Sequence, residues 1–298
     1  MLRRMADVAN SVIGQGPADG PLPRERTARA GCKASPRDPS PSTSYGARRS
    51  PCSSDGGVTL LGNGSMETAM NRVEPNLSRE ERRKRQKEFW RARYEEDPAF
   101  FGERESDFAA WCAPLLRAER NIRDIVELGC GYARDARFLA AQGFRVSGVD
   151  LTGVRDPSST TSGRAGPPCE FVEADALEFL QRSPPRSVDA VYSNMLFNMD
   201  YTEEEHRELF AAIHRVLRDR GLHLYSARST SDPWYGRGAK VDADTFDPAP
   251  HGVTMHYFSA EYADRLAEGL FAPVQRVERS EGEGDFPIRL LYVVDRRA

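Results

Sequence analysis

Glycines and acids in the middle of this chain are spaced so that they could hold a polar ligand at the end of a sheet. Gly129 and Gly131 close the apolar run Ile125-Val126-Glu127-Leu128, and Asp150 follows 21 residues after Gly129. Glycines at such a turn let the backbone bend sharply and come close to a ligand. An acid about 20 residues further on is placed to accept hydrogen bonds from ribose hydroxyls. A second concentration of aromatic and titratable groups lies further along, at Trp234, Tyr235, His251, His256 and Tyr257. The segment 228–258 that carries them is longer than a plain connection. Loops of that length in a compact domain are usually functional or disordered, so this one is expected to form a substrate pocket.

Alternating strands and helices must position these residues. Ile125 to Leu128 has the length and composition of a buried strand. A helix follows over roughly Arg134 to Gln142, with Gly143 as its stop, and Phe144 to Asp150 reads as the second strand. Further strands are expected at Glu170–Glu173, Val188–Ser193 and Leu222–Ala227. Thr202 with Glu205 gives a capping box for the helix between the last two. Two closing strands, 271–280 and 287–294, flank the turn Glu-Gly-Glu-Gly-Asp. Position 134 is Arg, where a dinucleotide-binding turn has its third glycine. That glycine lets helix and strand pack around a pyrophosphate, so its absence favours a nucleoside without phosphates over NAD.

At these residues the chain resembles the class I S-adenosylmethionine (SAM) methyltransferases. Glu127-Leu128-Gly129-Cys130-Gly131 matches the first motif of that family, Gly148-Val149-Asp150-Leu151 the second, and Phe171 to Ala176 the third. Gly131-Tyr-Ala-Arg-Asp135 and Gly143 to Asp150 look most like the branch acting on thiols, tellurite and other small acceptors. The resemblance spans about Ser78 to Val294. It implies an α/β fold: a Rossmann-like, seven-stranded, mostly parallel sheet with an antiparallel C-terminal hairpin and helices on both faces. It implies an enzyme that moves the methyl of SAM to a small-molecule O, N or S nucleophile by in-line displacement. Cofactor residues would be Glu127, Gly129, Gly131, Asp135, Asp150, Leu151, Asp175, Ala176 and Asn194. Asp175 would pair with the adenine amine, and Asp135 would reach the methionyl ammonium. The segment after Asn194 would face the methyl, which makes Phe197, Met199 and Tyr201 candidates for the acceptor wall, with Trp234 and Tyr235 from the later loop. His256, then His251, are the candidate general bases for an alcohol or phenol, whereas a thiol needs none. No carboxylates have the spacing of a metal-dependent O-methyltransferase. Two alternatives are a catalytically silent binding module on the same fold and an NAD-type oxidoreductase, the latter disfavoured by Arg134.

Upstream, Ser78 to Glu96 reads as a helix with Ser78 and Glu81 as a capping box. Its mixed basic and acidic residues read as a solvated face, and Trp90 and Tyr94 share one side. The resemblance implies a lid over the methionine end, within an N-terminal helical segment 66–120 ahead of the SAM-binding domain 121–298. Ser106 to Glu119 reads as a packing helix that Pro114 should disturb. Between Asp150 and Cys169, glycines and prolines argue against the usual crossover helix. Residues 1–65 read as a disordered, low-complexity tail, with organelle targeting as a lesser expectation than a cytoplasmic location. The 298 residues carry a net charge of −3, so no global basic field draws the chain to nucleic acid. No apolar run is long enough to span a membrane. The five scattered cysteines read as reduced thiols.

Overall fold

The computed structural model describes residues 77–153, 169–247, 253–282 and 287–298. The expected tail 1–65, the stretch 154–168 after Asp150, and His251 lie outside them. Two helices come first, α1 (Arg79–Glu96) and α2 (Asp107–Ala118). The sheet region follows as β1 (Asp124–Leu128), α3 (Arg134–Ala141), β2 (Arg145–Asp150), β3 (Cys169–Glu173), α4 (Ala176–Arg182), β4 (Val188–Asn194), α5 (Glu203–Val216) and β5 (Leu217–Arg228). Then come β6 (Ala239–Asp242), β7 (Thr245–Asp247), β8 (Met255–His256), α6 (Ala260–Ala267), β9 (Phe271–Glu281) and β10 (Ile288–Arg297).

Seven strands form one sheet in the order β3-β2-β1-β4-β5-β10-β9. The first five run parallel, and β10 lies antiparallel between β5 and β9. The chain winds outward from β1 through β2 to β3, then restarts at β4 on the other side of β1. That reversal between β1 and β4 is where open α/β sheets place ligands, outside the carboxyl ends of the strands.

Both sheet faces are buried, as parallel strands require. Along β1 the side chains alternate: Val126 and Leu128 join the core under α4, α5 and α6, while Ile125 packs under α2 and α3. Glu127 therefore points to the face of Ile125, an acid in an apolar layer. Pro114 sits inside α2 without ending it. One backbone hydrogen bond is lost, but Phe108, Cys112, Leu115 and Leu116 of that helix are fully or nearly fully buried, and this apolar face holds it in place.

The structure differs from the sequence reading in two elements. Within the expected acceptor loop, β6, β7 and β8 pair as a small antiparallel sheet, and Phe246, Val253, Met255 and Tyr257 form their own apolar cluster. The basic residues of α1 do not form a solvated face. Arg79 and Arg82 each lie 2.6 Å from Glu205, Arg83 lies 3.4 Å from Asp175, Arg85 3.0 Å from Asp247 and Lys87 2.7 Å from Glu173. The only buried residue of α1 is Gln86. Charge pairing and a few rings, not an apolar stripe, dock this helix.

Glu205 is the centre of that docking. Its carboxylate also accepts from the backbone of Thr202, completing the α5 capping box. Burial alone would raise its pKa, but the Thr202 N–H and the guanidinium groups of Arg79 and Arg82 outweigh it and hold the pKa down at about 2. A depressed carboxylate contributes stability above its unfolded pKa of about 4.3, and that stability is lost as pH falls toward 2. Glu205→Gln should cost about 1–3 kcal/mol at neutral pH, discounted for the half-exposed Arg79. A lowered melting temperature with faster proteolysis within Arg79–Arg91 is the expected reading. Unchanged values for both would contradict this role.

Candidate active site

A cleft opens at the reversal point, between α1 and the carboxyl ends of β1, β2, β3 and β4. With its open mouth included, the space measures about 980 Å3.

Glycines at 129 and 131 have φ of +73° and +54°, a left-handed turn that other residues adopt at a cost. A Cβ at Gly131 would lie 2.8 Å from the Tyr94 hydroxyl, and one at Gly129 3.0 Å from Leu196. Asp150 is fixed on three sides. One oxygen accepts the Gly131 N–H at 2.8 Å; the other accepts the Thr152 N–H at 2.8 Å and hydroxyl at 2.6 Å. Asp175 caps α4 through the N–H groups of Leu177 and Glu178, and its other oxygen faces Arg83.

Asp135 is buried and saturated. It accepts the Ser106 N–H at 2.7 Å, the Ser106 hydroxyl at 2.6 Å and the Tyr192 hydroxyl at 2.8 Å. It thus ties the start of α2 to the turn after β1. Glu127 is its opposite: 2% exposed, with one carboxyl oxygen that has no hydrogen-bond partner. Burial, then the Asp135 and Asp150 charges, push its pKa well above the usual carboxylate range.

Aromatic side chains wall the other side. Trp90 stacks on Tyr94 at 5.8 Å and meets Phe101 at 5.9 Å, and Tyr94 meets Tyr132 edge-on at 5.7 Å. Met195, Leu196 and Met199 continue the wall after Asn194. Met195, in the cleft wall, holds a positive φ of 59° without being glycine, the kind of strain that clusters at functional sites.

All nine residues expected to hold the cofactor line this cleft, and so does Tyr201, under the Arg83 guanidinium at 3.8 Å. Met199 lines it too, whereas the other expected residues among those described, Phe197, Trp234, Tyr235 and His256, do not. Phe197 is fully buried among Phe210, Tyr225, His206 and His223. Trp234 bonds the Pro287 carbonyl, and Tyr235 bonds Asp244 while its ring packs on Phe246 and Tyr257. His256 is buried behind the wall, held by Thr245 at its Nδ1 and by the Asn198 carbonyl at its backbone N–H. Burial pulls its pKa down to about 4, so the ring is neutral near pH 7. This small sheet reaches the cleft through Met199, which packs against its cluster. Gln86, Phe101, Tyr132, Arg134 and Thr152 line the cleft without having been singled out as site residues. Only Arg134 drew notice, as a missing glycine.

Gly131→Ala should cost about 1–2 kcal/mol through its left-handed backbone, and more through collision with Tyr94. Adding Tyr94→Phe should recover the second part, read as a coupling energy in thermal melts. Strict additivity would mean that Tyr94 does not pack on the turn as described.

Residues 125–221 match the family model described as a methyltransferase domain. No curated protein sequence matches the chain. Among solved structures, the fold is similar to that of a Burkholderia thailandensis 1,6-didemethyltoxoflavin-N1-methyltransferase with bound S-adenosylhomocysteine. Its TM-score is 0.58 at 16% identity, over 75% of this chain and 92% of that one. A magnesium protoporphyrin IX methyltransferase from Synechocystis PCC 6803 with bound SAM gives 0.52 at 13% identity, over 75% and 99%. A SAM-dependent methyltransferase from Methanosarcina mazei gives 0.52 at 15%, over 62% and 97%. The unpaired buried Glu127 oxygen suits a cation, and the two glycines leave room only for backbone beside a ligand, so these residues fit SAM. Residues 125–221 thus match a methyltransferase domain, and the fold is one shared with SAM-dependent methyltransferases.

Proposed function

We propose that this enzyme methylates a small molecule held between the aromatic wall and the cofactor. This reading rests on the cleft: one space under α1 brings together the glycine turn, Glu127, Asp150 and Asp175 with the aromatic wall of Trp90, Tyr94 and Phe101. The toxoflavin-precursor and porphyrin enzymes of the same fold act on small ring systems, which supports the same class here.

When bound, SAM supplies a methyl group already activated on a sulfonium. The protein then has to align two partners and exclude water. Asp150, held by Gly131 and Thr152, presents its remaining acceptor capacity to the ribose hydroxyls. Asp175 does the same toward the adenine amine. Glu127 receives the ammonium, because Asp135 already has three donors and Glu127 has a free oxygen. Trp90, Tyr94 and Phe101 shed water from the methyl-transfer side. Among the described residues, no histidine or lysine lines the cleft. We therefore assign His256 to packing. The acceptors favoured are those with a ready lone pair: a thiolate, a ring nitrogen or an acidic phenol.

Methyl-labelled SAM should be incubated with the enzyme and panels of thiols, nitrogen heterocycles and phenols. Label in a low-mass product is expected. Label found only in protein or nucleic acid would overturn the reading.

A further inference from the structure

Gln86 is 7% exposed and lines the cleft from α1. Its amide orientation is fixed, because Oε1 accepts from Arg83 Nη1 at 2.5 Å. A guanidinium can only donate, so the other amide atom must be the NH2 group. That Nε2 is buried and has no hydrogen-bond partner. A buried, unpaired donor costs free energy in the free protein, and a ligand acceptor atom at the same place would satisfy it.

The position along α1 says which part of the ligand this is. Residues 83, 86, 90 and 94 follow one helix face. Arg83 sits at Asp175, 3.4 Å from its carboxylate, and Tyr94 sits over Gly131. At 1.5 Å of rise per residue, the two ends are about 16 Å apart and Gln86 is about 4.5 Å from the Arg83 level. Gln86 therefore stands at the Asp175 end, one guanidinium away from that acid.

We propose that Gln86 is a specificity residue that donates from the lid helix to a ring nitrogen of the cofactor purine, beside the exocyclic amine read by Asp175. The inference rests on the cofactor placement given above. Arg83 is the positioning residue: it touches Gln86, Asp175 and the Asp200 carbonyl, and lies over the Tyr201 ring. The purine edge would then be read from two sides, by an acceptor on the body and a donor on the lid. Closing α1 becomes selective for the adenine-type edge, since an inosine-type edge reverses the donor at the amine position.

The test is calorimetric binding of S-adenosylhomocysteine and of its 7-deaza and 1-deaza analogues to wild type, Gln86→Met and Gln86→Glu. Gln86→Glu keeps an oxygen for Arg83 but removes the NH2 donor, so it guards against a folding defect. Wild type should bind the natural ligand and lose about three- to tenfold on one of the two analogues. Both variants should bind the natural ligand that much more weakly and be indifferent to the same nitrogen. If wild type binds and the variants keep its discrimination among the three ligands, Gln86 does not read the purine and the proposal fails. If wild type binds none of the three, the cofactor placement itself fails, which is a separate outcome.

Discussion

Asp150→Ala should weaken binding of S-adenosylhomocysteine by about ten- to a hundredfold, or roughly 1.5–3 kcal/mol. Two losses combine. The ribose hydroxyls lose a charged acceptor, and charge-assisted bonds are about twice as strong as neutral ones. The turn also loses its anchor, because the Asp150 carboxylate holds the Gly131 N–H and both donors of Thr152. Asp150→Asn separates the two. Its one carbonyl oxygen can keep either the turn or the ribose, so an intermediate loss is expected. Calorimetry on the three proteins reads this directly. Equal affinities would mean that the ligand does not lie at the end of β2.

Glu127→Gln should raise the stability of the free enzyme and lower its affinity for the cofactor. Burial in the layer under α2 and α3 is the main reason its pKa is raised, followed by Asp135 and Asp150. For a carboxyl group raised on folding, the contribution to stability is full below the unfolded pKa of about 4.3 and is lost as pH rises through the folded value. Wild type should therefore lose stability relative to Glu127→Gln on going from pH 4 to pH 8. The variant should gain about 1–3 kcal/mol at the upper end, a rise of several degrees in melting temperature. Binding runs the other way. An ammonium beside Glu127 favours the ionised form, so wild-type affinity should increase with pH across that range. Glu127→Gln should be about tenfold weaker at pH 8 and nearly flat with pH. A variant that binds as tightly as wild type at pH 8 would remove Glu127 from the ammonium site.

Local sequence carried the frame of this site. Strand ends, glycine turn and acids occur close together in the chain, so Gly129, Gly131, Asp150 and Asp175 could be placed from spacing and motif. The caps Ser78 and Thr202 were legible for the same reason: Glu81 and Glu205 stand three residues on. What escaped was long-range. The partners of the α1 arginines lie at 175, 205 and 247, so helix-periodicity rules could not pair them. The cluster at 228–258 looked like a pocket because its residue types suit chemistry, yet His256, Trp234 and Tyr235 are held within or beside the small sheet. Composition cannot distinguish a ring that faces a ligand from one that faces another ring. Gln86 gave no signal at all, since its meaning comes from Arg83 fixing its amide and from burial.

The placement proposed for the cofactor is between α1 and the strand ends. Hydrogen exchange with and without S-adenosylhomocysteine tests it most directly. Protection should rise together in four stretches, 83–94, 128–135, 148–153 and 174–177, with the small sheet at 239–247 changed less. Protection confined to other regions, or none at saturating ligand, would contradict it.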